Sequence, residues 1–325
     1  MESLTFLGLI GILREALKIF TKNGKLMSSV ALLNLFIQSF LFLANLYSIW
    51  TVISDIVFEK YLLHLTSPGT PEFTNIFNHI RKDIKIILEI EIIYVILNSI
   101  SFLLSATVTI LAAAIIHREK EHLSLKELLL RTLKSWTRPL VTWLYVSLFA
   151  LVYIFIFLAI LFLGIKVSDH NPILLAVFGF VLASLASIFY IYLSVTWTLA
   201  IVVSVAEQIR GLEALGKAAQ LVKGMKRQGF LLNLVFSTFS LIITQGTKLI
   251  SSSKSLVLAI ILALVIINFA VLVRMYWLVA FTVFYFRCKK IHGETVGLEG
   301  IVCSDEYSKT PTGSAAPLIT DNTIP

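Results

Sequence analysis

The chain has 325 residues, of which 58% are hydrophobic and 14% charged, and its formal net charge is +8. A soluble domain carries about 25% charged residues, and the mean hydropathy is +0.90, so separate soluble domains are excluded up to about Tyr285. In such a chain the positive balance points to membrane orientation and anionic lipid head groups, not to nucleic acid.

The N-terminal run Leu4 to Leu13 is apolar, but it has no basic leader and no small-residue cleavage site, so it is expected to stay on the mature chain. Phe6, Leu9, Ile10, Leu13, Leu17 and Phe20 recur at helical spacing, with Arg14, Glu15, Lys18 and Lys22 elsewhere on the helix. The pattern predicts an amphipathic helix with its apolar face toward the acyl chains. A bilayer crossing takes about 20 apolar residues, and six stretches qualify: 26–52, 86–116, 140–165, 173–205, 230–250 and 255–286. The connection from Ser54 to Lys85, with the turn-forming SPGTP at Ser67 to Pro71, is the longest expected outside segment.

Glu89 and Glu91 lie near the outer end of the second span. Two residues apart on a helix, they point to nearly opposite sides, which argues against a paired-carboxylate centre. One of them is a candidate partner for Arg274 or Lys248. His117 and His122 lack the spacing of helical metal ligands. A second amphipathic helix is predicted from the N-cap Ser124, with Leu125, Leu128, Leu129, Leu133 and Trp136 facing one way. In the fourth span, Gly179, Ala183 and Ser187 recur every fourth residue and read as a packing seam, within the bundle or in a dimer. A third amphipathic helix follows, with Ile209, Leu212, Leu215, Ala219 and Val222 on its apolar side.

Arg274 lies well inside the sixth span. A charge there costs about 3 kcal/mol on insertion scales. It either makes an ion pair or ligand contact inside the bundle or reaches along the helix to the interface. Cys288, in FRCKK directly after the span, is a candidate palmitoylation site, with Lys289 and Lys290 at the lipid head groups. The tail 291–325 is rich in Ser, Thr, Pro and Gly and is expected to be disordered. Residues 1–290 form one membrane domain. No Walker loop, G-x-S-x-G or dinucleotide-binding glycine pattern occurs, so neither an enzymatic activity nor a cofactor is expected.

Lys and Arg number nineteen in the segments on the N- and C-terminal side of the membrane and seven on the other. The positive-inside rule therefore puts both termini in the cytosol, with endomembrane and plasma membrane left open. The strings REALKIFTKNGK and LEALGKAAQLVKGMKRQG share an E-A-L core followed by lysines. They point to a threefold unit of one amphipathic helix and two spans.

EQIRGLEALGKAAQLVKG, at Glu207 to Gly224, resembles a segment of the membrane domain that accompanies some bacterial glycerophosphodiester phosphodiesterases. Glu207, Gly211, Ala214, Leu215, Lys217, Leu221 and Gly224 match that pattern, while Ala218 stands where serine is expected. FYFRCKKIHGE, at Phe284 to Glu294, together with the six-span layout, resembles a plant family of uncharacterised transmembrane proteins, some named for a link to a poly(A)-binding protein. The resemblance implies an all-α polytopic fold with cytosolic interfacial helices. It implies no phosphodiesterase activity, because the soluble catalytic domain is missing. Two roles follow as expectations. The first is a non-enzymatic protein that organises the lipid bilayer, its anionic head groups or protein partners at the cytosolic face. The alternative is a transporter or channel for a small anionic solute, carried by Arg274, Glu89 and Glu91.

Overall fold

The computed structural model describes residues 2–67, 69–118, 124–167, 172–253 and 255–293. Among them the chain runs through nine α-helices and no strand: α1 (Glu2–Lys22), α2 (Gly24–Leu65), α3 (Pro71–Arg118), α4 (Leu125–Ser135), α5 (Thr137–Val167), α6 (Pro172–Ala206), α7 (Leu212–Val222), α8 (Lys226–Ser251) and α9 (Leu256–Ile291). Six of them, α2, α3, α5, α6, α8 and α9, are long and apolar enough to cross a bilayer. The tail beyond 293 and its expected disorder lie outside the described residues, as does His122.

The stretch from Ser54 to Lys85 is mostly helical. α2 continues to Leu65 and α3 begins at Pro71, so only the SPGTP region breaks the helix. Charge at Lys60, Arg81, Lys82 and Lys85 ends the hydropathic run but not the helix, because lysine and arginine are good helix formers. With 42 and 48 residues, at about 1.5 Å each, α2 and α3 reach about 60–70 Å, twice the roughly 30 Å of a hydrocarbon core. They pair along this length through polar contacts. Gln38 Nε2 donates to Asn98 Oδ1 at 2.8 Å and Asn45 Nδ2 to Glu91 Oε1 at 3.5 Å.

The core lies at one end of the bundle, where the short helices α1, α4 and α7 sit. α9 is its axis and packs against α1, α2, α3, α6, α7 and α8. Leu278 to Phe286 are all nearly inaccessible. Facing them are the small-residue run Ala112, Ala113 and Ala114 of α3 and Leu199, Ala200, Val202 and Val203 of α6. Small side chains let helix backbones approach closely, which is the main source of packing attraction when lipid is the alternative neighbour. Thr107 and Thr109 return their hydroxyls to the carbonyls of Leu103 and Ser105 at 2.8 and 2.7 Å, so these two hydroxyls enter the core with a hydrogen bond each.

α1 docks one side of its apolar face on the bundle. Leu9, Ile12, Ala16 and Ile19 are buried against the bundle, while Leu7, Ile10 and Leu17 are exposed. The helix is rolled relative to the expected stripe because its neighbours are α8 and α9. α7 is rolled in the same way, burying Ala214, Ala218, Leu221 and Val222 and exposing Leu212. α4 opens with the expected Ser124 cap, as a capping box closed by Glu127. The expected seam in α6 is not packed within the chain. Ala183 and Ser187 are exposed, and no atom lies near where a Cβ on Gly179 would be.

Candidate functional site

Arg274 stands at the midpoint of α9, about 25 Å along the axis from either end. It makes no ion pair among the described residues. Glu89 instead lies 4.0 Å from Lys85, and Glu91 accepts from Asn45 on α2. Arg274 meets α3 at Phe102, its guanidinium carbon 4.5 Å from the ring centroid. Eleven residues separate Phe102 from Glu91, or about 16 Å of helix, so the expected pairing of Arg274 with either glutamate does not form.

What the guanidinium borders is a cavity of about 520 Å³ between α3, α5, α6, α8 and α9. Its walls carry Trp143, Trp197 and Trp277 beside a polar strip of Ser194, Asn233 and Ser240. The strip is largely self-satisfied. Asn233 Nδ2 donates to the Ile191 carbonyl at 2.9 Å and contacts Ser194, and Thr198 donates to the Ser194 carbonyl at 2.8 Å. Two groups are not satisfied. Arg274 Nε and Trp277 Nε1 are buried and have no hydrogen-bond partner among the described residues. Both are donors, and three residues apart they share one face of α9. Buried polar groups in native proteins are nearly always paired, so two orphan donors of one sign at one cavity mark a place for an acceptor. Sequence reading found Arg274 but not Trp277, since a tryptophan among apolar residues looks like core.

The residues of the Glu207 motif come together at the compact end. α6 stops when Gln208 and Gly211 take positive φ, 60° and 63°. The Gly211 N–H donates to the buried Thr142 Oγ1 of α5 at 2.9 Å. A Cβ on Gly211 would come 3.0 Å from the Tyr145 ring, so glycine is required both by conformation and by space. This turn delivers Glu207 into a cluster: Lys217 Nζ lies 2.5 Å from Oε2, Lys289 Nζ 2.9 Å from Oε1, and the Tyr285 hydroxyl donates to Oε1 at 2.5 Å. Burial pushes the Glu207 carboxyl up, but the hydrogen bonds from Lys217, Tyr285 and Lys289 outweigh it and hold the group below its ordinary value. Gly224 abuts the end of α9, where a Cβ would lie 3.3 Å from His292. The motif is thus a clasp between α6, α7 and α9.

A second clasp holds α1. Arg287 donates from Nε and Nη2 to Glu15 Oε2 at 3.1 and 2.8 Å, and from Nη1 to the Gly8 carbonyl at 3.2 Å. His117, stacked on Phe286, lies 3.6 Å from Glu15 Oε1. Lys289 is buried while Lys290, one residue on, is exposed. Cys288 is also fully buried, with Sγ 3.7 Å from Met225 Sδ, so it is not placed for acylation.

These features define an all-helical, multi-pass membrane protein with a partly polar cavity inside its bundle. Residues 1–307 match the family described as Domain of unknown function (DUF8558), and the chain belongs to that family. No curated protein and no solved structure matches it.

Proposed function

We propose that this chain is a non-enzymatic membrane protein that binds an amphipathic anion in the Arg274 cavity and carries it within or across the bilayer. The observation behind the reading is the pair of orphan donors, Arg274 Nε and Trp277 Nε1, at a cavity of about 520 Å³. That volume falls in the range of ligand sites, about 300–1,000 Å³. The donors call for a carboxylate or phosphate, and the aromatic walls call for an apolar body attached to it. A cation buried at mid-membrane without a carboxylate is costly unless a ligand supplies the charge.

The first expected role, organising lipids or partners through amphipathic helices at the cytosolic face, has less support, because α1 and α7 bury their inner faces in the bundle. In this reading the compact end faces the cytosol, as the excess of Lys and Arg on that side favours. The order short helix, long helix, long helix, met three times along the chain, supports the threefold unit.

The test is tryptophan fluorescence of the purified protein titrated with a fatty acid, an alkyl phosphate, an alkylamine and an uncharged monoacylglycerol. Saturable quenching by the two anions, lost in Arg274→Met and weakened in Trp277→Phe, is expected. Equal responses to the alkylamine, or anion responses that persist in Arg274→Met, would reject the reading.

A further inference from the structure

A second concavity, of about 560 Å³, opens on the outer surface between α5 and α6 beneath α7. Its walls include Phe149 and Tyr153 of α5, Tyr192 and Trp197 of α6, and Ala219 of α7. The Tyr153 hydroxyl is engaged with the Ala186 carbonyl at 2.6 Å, so it presents its ring and not a free donor. The surrounding faces of α5 and α6 expose Leu148, Phe155, Phe189 and Leu185, as surfaces against acyl chains do. At the compact-end rim stand Lys223, which closes α7, and Lys226, which opens α8. Both are exposed, and among the described residues neither has a carboxylate in ion-pair range. This contrasts with Lys217 and Lys289 nearby, which Glu207 holds.

We infer that this groove is a specific site for an anionic glycerophospholipid of the adjoining leaflet. Lys223 and Lys226 hold its phosphate, and an acyl chain lies along Phe149, Tyr153 and Tyr192. The commitment to a membrane lipid rests on the order of the chemistry along the groove. The charge sits only at the rim where α7 and α8 meet, at the level where the spans end. Everything deeper is aromatic or aliphatic, and the groove is open sideways to the bilayer. A free phosphate would leave the apolar length unused, and a soluble peptide would have to enter the hydrocarbon. The site is separate from the Arg274 cavity, although Trp197 borders both, and it does not rest on the function proposed for that cavity.

The experiment is native mass spectrometry of the full chain released from micelles holding equal amounts of phosphatidic acid and phosphatidylcholine. The wild type is expected to retain phosphatidic acid preferentially. The double variant Lys223→Gln/Lys226→Gln should lose about fivefold of that preference per lysine. The double variant Lys126→Gln/Lys134→Gln, which removes two exposed charges of α4 at the same end, should retain it. Ala219→Trp, which fills the groove, should lower retention of both lipids. An unchanged preference in Lys223→Gln/Lys226→Gln, an equal loss in the α4 variant, or full retention in Ala219→Trp would each overturn the inference.

Discussion

Lys289 Nζ reaches Glu207 Oε1 at 2.9 Å across 82 residues of chain, and only 6% of the lysine side chain and 9% of the glutamate are accessible. The pair ties the end of the last span to the turn that follows the fourth. Replacing Lys289 by Met leaves a buried carboxylate with Lys217 and Tyr285 as its remaining partners. We expect a loss of about 2–3 kcal/mol, less than for a fully orphaned charge. Lys290→Met, at the exposed neighbouring position, should change stability by less than about 0.5 kcal/mol. Thermal unfolding in one detergent compares the two, and equal effects would contradict the clasp.

The same carboxylate sets an acid limit. The folded-state pKa of Glu207 is lowered from 4.5, so the unfolded chain binds its proton first as pH falls. The stability it contributes is complete above the unfolded value and is lost as pH drops through the folded one. The unfolding temperature should therefore fall as the pH drops below 4.5, and Glu207→Gln should flatten that part of the profile. A slope identical in the variant would assign the acid sensitivity to other groups.

Arg274 gives the opposite sign. Among the described residues it has no partner to lose except the Phe102 ring, a contact of about 0.5–2 kcal/mol, while a charge inside a span costs about 3 kcal/mol. Arg274→Met should leave the unfolding temperature unchanged or raise it while removing anion binding. A fall as large as that of Lys289→Met would make the arginine a structural residue.

Gly211→Ala forces a side chain onto a positive φ and against Tyr145. A left-handed backbone costs an L-residue about 1–2 kcal/mol before the clash is counted, so we expect a loss of at least that size. Gly216→Ala, on the same helix with nothing near its Cβ position, should be neutral or slightly stabilising. Thermal unfolding of the two variants provides the comparison.

Cys288 provides a direct probe of burial. In a Cys303→Ser background, a maleimide should leave the folded protein unlabelled and label it fully after denaturation. Rapid labelling of the folded form would show that the end of α9 opens.

The six spans were legible because each apolar run exceeds a bilayer crossing. Arg274 was legible because it is a charge within such a run. Its surroundings were not, because Trp277 and Asn233 gain meaning only through what lies, or fails to lie, across the cavity. Lys289 and Lys290 are adjacent and chemically alike, and which one is buried depends on where α7 settles. α1 shows the same limit. Its periodicity was plain, but a stripe about the helix axis can roll by one residue, and only the packing of α8 and α9 determined that Ile12 and Ala16 would be the buried pair. The SPGTP turn was recognised, yet the charges around it hid that the helices continue almost to its edges.

The bond between Arg287 and Glu15 joins residues 272 positions apart. Synthesis proceeds at about 5–20 residues per second, so Glu15 waits roughly 15–55 s for its partner to be made. During that interval the stripe of Leu9, Ile12, Ala16 and Ile19 has no α9 to cover it and must be sheltered by lipid or by the insertion machinery. The bundle is therefore closed by its final span, and a chain cut short before α9 would leave the first helix without its dock. Such a product would be recognisable as incomplete from its opposite end, which gives cellular quality control a single place to inspect.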